Sequence, residues 1–192
     1  MNDAVLLLIL VNFLFIGILP VIFFKRGGSL NLMWWLTAAP YFICVILLTA
    51  SFLRIYPPVT EYDGGFIRIL GLIAVVVSTA SIFLIAYTLG THRRPIALWH
   101  QTNDATEELV TYGAYGRIRH PFYAAFLLAL LAALIFSPQL GTLATFVYGL
   151  LIMNYTAAKE ERRMRGSQFG AEYEAYIGRT GRFVPRLRRR TR

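Results

Sequence analysis

The stretch GAYGRIRHPFYAAFLLALLAALIFSPQLGTLATFVYGLLIMNYTAAKEERR, residues 113–163, decides how this chain is read. Arg117, Arg119, His120 and Tyr123 stand directly against an apolar run that begins at Pro121. A second apolar run follows the short break Ser137-Pro138-Gln139 and continues to about Ala158, where KEERR (159–163) sets two carboxylates among cations. Polar chemistry is therefore concentrated at two points, each at the margin of a hydrophobic segment. That distribution predicts a polar site at a membrane surface rather than one inside a soluble core.

Composition points the same way. Of the 192 residues, 57% are hydrophobic and 15% are charged, against about 25% charged in a typical soluble domain. Five segments are apolar enough to span: about 4–24, 33–53, 66–89, 121–136 and 140–158. Crossing a ~30 Å hydrocarbon layer takes roughly 20 helical residues. The fourth segment is shorter, about 24 Å at the helical rise, and is expected to form a tight hairpin with the fifth. Pro121 suits the first turn of that helix, where a missing N–H costs nothing. The first segment is too long for the apolar region of a signal peptide and follows Asn2 and Asp3 rather than basic residues, so it reads as a span. The expected architecture is all-α and polytopic, a single integral-membrane domain over residues 1–192. Trp34 and Trp35 read as interfacial anchors. Cys44 is the only cysteine, so no intrachain disulfide can form.

Alternate loops and the C-terminal tail carry 17 of the 19 Lys and Arg residues. Positive charge marks the cytoplasmic side, which puts the N-terminus outside and both polar clusters, with the tail, inside. The tail residues Arg186, Arg188, Arg189, Arg190 and Arg192 read as a topology signal that also attracts anionic lipid headgroups, worth about 1 kcal/mol per cation. Nucleic acid is not the expected partner.

Two segments could carry chemistry. Residues 107–113 read as an irregular approach, and Gly113 and Gly116 permit backbone close to a ligand. Backbone N–H groups at the start of the helix after His120 could hold an anion such as a carboxylate. The plainer alternative makes Arg117 and Arg119 topology anchors and Tyr123 an interfacial decoration. Glu160 and Glu161 lie about 100° apart around a helix axis, so they face different surroundings. They could form surface pairs, Glu161 with Arg165 and Glu160 with Arg163, each worth about 0.3–0.5 kcal/mol. Alternatively one faces a cationic cofactor, since a sulfonium or ammonium drawn into a low-dielectric site needs a nearby negative group. His92, His100 and His120 all lie outside the spans, which argues against haem ligation in the bilayer. No zinc spacing, Walker or dinucleotide glycine pattern occurs, and no acid lies within a span to suggest an ion pathway.

Three segments taken in order, LVTYGAYGRIRHPFY (109–123), KEE (159–161) and FGAEYEAYIGRTGRFVPR (169–186), resemble the isoprenylcysteine carboxyl methyltransferase family. That family is related to the phospholipid N-methyltransferases, and the resemblance covers roughly residues 87–187. It implies an integral-membrane enzyme that uses S-adenosylmethionine on a lipophilic small molecule or lipidated substrate taken from the bilayer. It further implies that Leu109, Val110, Tyr115, His120, Pro121, Phe122 and Tyr123 line the cofactor site. A glutamate of the acidic pair also contacts the cofactor, with Glu161 the better match and Glu160 beside it; Gln101 corresponds to an upstream glutamine.

One departure bears on the acceptor. Members that methylate prenylcysteine carry an arginine about one turn before the acidic pair, and here that turn reads Asn154-Tyr155-Thr156-Ala157-Ala158. Either another arginine serves, or the acceptor is not a carboxylate of that type. A carboxylate is already ionised at pH 7 and needs no general base. An amine would have to lose a proton, with His120 the first candidate as base, so the alternatives are lipid amine methylation or a non-catalytic membrane subunit.

Overall fold

A helix that is surrounded by protein can be shorter than one that meets lipid, and the centre of this molecule shows it. The computed structural model describes residues 3–18, 25–26, 29–30, 32–55, 63–91 and 109–186. Six α-helices run in the order α1 (Asp3–Ile18), α2 (Leu32–Phe52), α3 (Gly64–Thr91), α4 (Pro121–Phe136), α5 (Leu140–Arg165) and α6 (Gly170–Arg179). A 3₁₀ turn at Gly113–Gly116 precedes α4, and a two-rung antiparallel pairing joins Lys25–Arg26 to Ser29–Leu30 between α1 and α2. Among the described residues the architecture is all-helical apart from that small hairpin.

Among the described residues, three helices are long and apolar enough to cross a membrane: Trp35–Phe52 within α2, and the whole of α3 and α5. Two shorter apolar helices, α1 and α4, accompany them. The outward faces carry Leu14, Ile46, Leu72, Val76, Phe83 and Leu151, all exposed. Large exposed apolar side chains on four helices suit lipid rather than water, and they mark the chain as a membrane protein.

The fourth helix matches its expected bounds of 121–136, with Pro121 in the first turn and the break at 137–139. Its first seven residues are all buried, and Ala125, Ala129, Ala132 and Ala133 have no exposure. α3 presents a buried stripe of mostly small residues, Gly71, Ala74, Ser78, Ser81, Ile85 and Thr88, in which Ser78 meets α1 and Ser81 meets α4. Small residues at such seams bring backbones together where no hydrophobic force between helices exists. α5 approaches through Gly149, where an added Cβ would run into the Leu130 side chain and lie 3.8 Å from the buried Pro40 of α2. The fifth helix also runs past its expected end at 158 to Arg165, so the acidic pair stands on the same rigid rod that crosses the bundle.

Polar side chains tie the helices together. Asn12 of α1 donates to the Ser78 carbonyl at 3.3 Å and to Ser78 Oγ at 3.1 Å. Ser81 donates to the Ala125 carbonyl of α4 at 2.8 Å. At the far end, Gln139 Nε2 donates to Ser51 Oγ at 2.9 Å, and the Gln139 backbone and side chain form a reciprocal cap with Thr142. Cys44 is buried and free. Trp35 is partly exposed, its ring 6.0 Å from that of Phe42; the side chain of Trp34 and residues 19–24 of the first expected span lie outside the described residues.

Asn12 is fully buried between α1 and α3. Asn12→Ala is expected to lower stability by roughly 0.5–1.5 kcal/mol, the range for interhelical hydrogen bonds in membrane bundles. Thermal unfolding in detergent checks this, with Leu14→Ala on the exposed face as a control that should change stability less.

Candidate functional site at the α4–α5 end of the bundle

The segment between α3 and α4 is held by threonine and glycine working together. Thr91, the last residue of α3, accepts from the Ala114 N–H at 3.3 Å and donates to the Tyr87 carbonyl at 2.8 Å. Gly113 adopts φ +57°, and any Cβ there would strike the Thr91 side chain. The glycine thus serves a close approach between turn and helix. From this anchor the chain runs through Arg117 to His120 and enters α4.

A second segment arrives from the C-terminus and pairs with it. Arg119 N donates to the Gly181 carbonyl at 2.8 Å, His120 N to the Arg182 carbonyl at 3.0 Å, and Gly181 N to the Arg117 carbonyl at 3.2 Å. The two segments run parallel, bridging at Ile118 and Gly181. Gly181 leaves no room for a side chain, because a Cβ would collide with the Val184 carbonyl. α6 positions this segment: Tyr173 and Tyr176 form the buried face of the helix, and Tyr176 OH donates to the Tyr115 carbonyl at 2.7 Å. Arg186 folds back to donate to the Gly178 carbonyl at 2.7 Å, satisfying a helix C-terminus.

The acidic pair faces this construction, and its two members do different things. Glu161 has 4% of its side chain exposed. Its Oε1 accepts from Arg119 Nε at 3.0 Å and Arg182 Nε at 3.1 Å, and its Oε2 from Arg182 Nη2 at 2.5 Å. Arg119 also donates to the Thr180 carbonyl at 2.6 Å, and Arg182 to Asn154 Oδ1 at 2.6 Å. Glu160 is 28% exposed and looks the other way. It accepts from Tyr123 OH at 2.6 Å and lies 3.4 Å from His120 Nδ1.

His120 stands between the two carboxylates, with Nε2 3.4 Å from Glu161 Oε1. That contact is not aligned as a hydrogen bond, and Nε2 is buried with no hydrogen-bond partner among the described residues. The imidazole stacks on Tyr123 (centroids 5.3 Å, planes 5° apart) and meets the edge of Phe183 at 6.3 Å. Burial disfavours the charged ring, but Glu160 and Glu161 together outweigh it, so the His120 pKa is raised from 6.5. Tyr115 lies nearby: burial, then Tyr176 and Glu160, push its phenol above the ordinary 10.

The expected surface pairing of Glu161 with Arg165 does not form. Arg165 instead meets Glu174 of α6 at 2.7 Å in an exposed contact that contributes little, while Glu160 turns to Tyr123 and His120. Arg119, readable as a topology anchor, points inward with 10% of its side chain exposed, whereas Arg117 is exposed. Tyr115, His120, Tyr123, Glu160 and Glu161 are brought together; Pro121 and Phe122 are buried immediately behind them. Leu109 and Val110 lie half-buried in the irregular lead-in. Gln101 lies outside the described residues. Arg182, Phe183 and Asn154 carry no individual site signal in the sequence. The conspicuous motif around them in 169–186 held Arg182 and Phe183, but no local spacing ties either to an acid 21 residues earlier. No group of acids, histidines and cysteines capable of holding a metal occurs among the described residues. No protein-family model matches the chain, and no curated protein matches it.

Two measurements follow from this geometry. Glu161→Gln leaves two guanidinium groups facing a neutral amide and is expected to cost roughly 3 kcal/mol, as for breaking a buried pair; Glu160→Gln should cost less than about 1 kcal/mol. Thermal unfolding of both variants tests the order. His120 binds its proton more tightly folded than unfolded, so its contribution is complete below about pH 6.5 and is lost as pH rises through the raised folded value. Stability should therefore decline with pH over that window, and His120→Asn should flatten the decline.

Proposed function

We propose that this chain is an S-adenosylmethionine-dependent membrane methyltransferase acting on a lipophilic acceptor, as its resemblance to the isoprenylcysteine carboxyl methyltransferase family implies. The observation that carries the proposal is convergence. Three sequence segments chosen for that resemblance meet at one end of the bundle, where RHPFY, the acidic pair and GRFVPR share hydrogen bonds. The reading includes five spans, an outside N-terminus and a site open to the cytoplasm. The charge asymmetry of the loops supports this orientation.

The donor set fits a ligand bearing positive charge. Glu160 is the carboxylate with room to receive one, because Glu161 is already engaged by two guanidinium groups. Tyr123, whose hydroxyl bonds Glu160, adds an aromatic ring beside it, and cations are attracted to aromatic rings. The orphaned Nε2 of His120, an N–H in the protonated ring, is a donor awaiting a partner. In this proposal Glu160 holds the cationic part of the cofactor and His120 completes its contacts, while Glu161 keeps the walls in place. Bound there, the cofactor would supply a methyl group on a sulfonium, whose transfer to a carboxylate oxygen would break the C–S bond, form a C–O bond and require no proton movement. The protein's task is then orientation and a shaped, dry electrostatic environment.

Two features favour a carboxylate over an amine acceptor. Arg182 reaches Asn154, so a guanidinium approaches the turn that lacks the family's arginine. His120 between two carboxylates is held toward its protonated form, in which it cannot act as a base.

Radiolabelled S-adenosylmethionine should bind the purified protein saturably, and failure to bind by well-folded protein would sink the reading. Glu160→Gln should weaken S-adenosylhomocysteine binding tenfold or more, as for a charge-assisted contact of about 1.5–3 kcal/mol. His120→Asn should lower affinity and turnover together; unchanged affinity with abolished turnover would point to an amine acceptor. Reporters fused after Arg192 and inserted near Asp63 should fall on opposite sides of the membrane.

A further inference from the structure

Tyr41 lies on α2, far in sequence from every motif considered above. Its ring packs edge-on against Phe126 of α4 (centroids 5.6 Å, planes 73° apart) and against Phe13 of α1 at 5.8 Å. The residue is buried, and its hydroxyl is fully shielded with no hydrogen-bond partner among the described residues. Buried tyrosines ordinarily find a partner for that group. If filling space were all that is required, phenylalanine would do so without the cost of an unpaired donor.

The surroundings of the hydroxyl indicate what it faces. Tyr41 stands one turn before the buried Cys44 on its own helix. Tyr123 bonds Glu160 at 2.6 Å, and Phe126, against which Tyr41 packs, lies one turn beyond Tyr123 on α4. The ring that carries the orphan donor therefore packs one turn of α4 away from the residue that bonds Glu160. A lipophilic acceptor entering from the bilayer would bring its polar end past this point.

We propose that Tyr41 is an acceptor-binding residue, its hydroxyl donating a hydrogen bond to a carboxylate oxygen of the lipophilic acceptor. The proposal rests on the methyltransferase reading and adds a residue from the half of the chain outside the family resemblance. It also explains an apolar core that tolerates an unpaired phenol: the partner arrives with the acceptor. A donor on the carboxylate leaves the other oxygen available for methylation and fixes which one that is.

The test uses the full chain in detergent and the variant Tyr41→Phe, which removes one oxygen and leaves the packing intact. Three readouts are compared: thermal midpoint without ligand, S-adenosylhomocysteine affinity, and affinity for a prenylated cysteine with a free carboxylate, measured calorimetrically with S-adenosylhomocysteine present. The methyl ester of the same compound serves as control. The proposal expects an unchanged or higher midpoint, cofactor-product affinity within twofold, and acceptor affinity reduced about tenfold for the acid but not for the ester. A lower midpoint in Tyr41→Phe would mean the hydroxyl is already satisfied in the resting protein, and the proposal fails. Equal loss for acid and ester, or no loss, also overturns it. Wild-type protein that binds S-adenosylhomocysteine but not the acid defeats the Tyr41 assignment alone; binding of neither defeats the parent reading as well.

Discussion

A carboxylate almost sealed from solvent, gripped by guanidinium groups 42 residues before it and 21 residues after it, holds this molecule's working end together. Glu161 cannot be buried alone, because an ionised carboxylate out of water is stable only when paired and hydrogen-bonded. The requirement runs both ways. Arg119 and Arg182 can turn inward only because Glu161 awaits them, and their inward turn draws the segment before α4 and the segment after α6 onto α5. Such a cluster adds less net stability than its contacts suggest, since desolvation offsets much of the attraction. Its value is in register: only one alignment of the three segments satisfies all three charges.

The consequence is a division between neighbouring acids. One helix step turns Glu160 away from the guanidinium groups and toward Tyr123, His120 and solvent. The same backbone thus presents a saturated carboxylate to the protein and a partly open one to a ligand. Standing both on α5, which continues unbroken from the apolar bundle to Arg165, gives them positions that a loop could not hold to the same tolerance. The stacked ring of Tyr123 and the edge of Phe183 then restrict the imidazole between the acids.

The bundle below supports this end through α4. That helix is enclosed by its neighbours, so its backbone and side chains answer to protein contacts and not to the thickness of a bilayer. Alanines on α4 and small residues on α3 allow close approach, while Asn12, Ser78 and Ser81 add hydrogen bonds in surroundings with no competing water. The first turn of α4 carries Tyr123 into the site directly, so helix packing and site geometry are one problem.

Much of the fold was legible in the residues alone. Long apolar runs must be helical where water is absent, because no other single segment satisfies its own backbone; the bounds of α4, the break at Ser137-Pro138-Gln139 and the place of Pro121 follow from that and from proline geometry. The divergence of Glu160 and Glu161 also follows, from helical period. What period leaves open is which group stands opposite. It tells in what direction a side chain leaves its helix, whereas Arg119, Arg182 and Phe183 reach the site through loop and strand backbone whose path no repeating pattern encodes. Surface pairing of Glu161 with Arg165 was the local answer, and burial overruled it by offering two guanidinium groups in place of one exposed contact. Tyr41 is the same lesson at longer range: its place in an apolar run says it is buried, but only the packing of α2 against α4 decides that its hydroxyl has no partner.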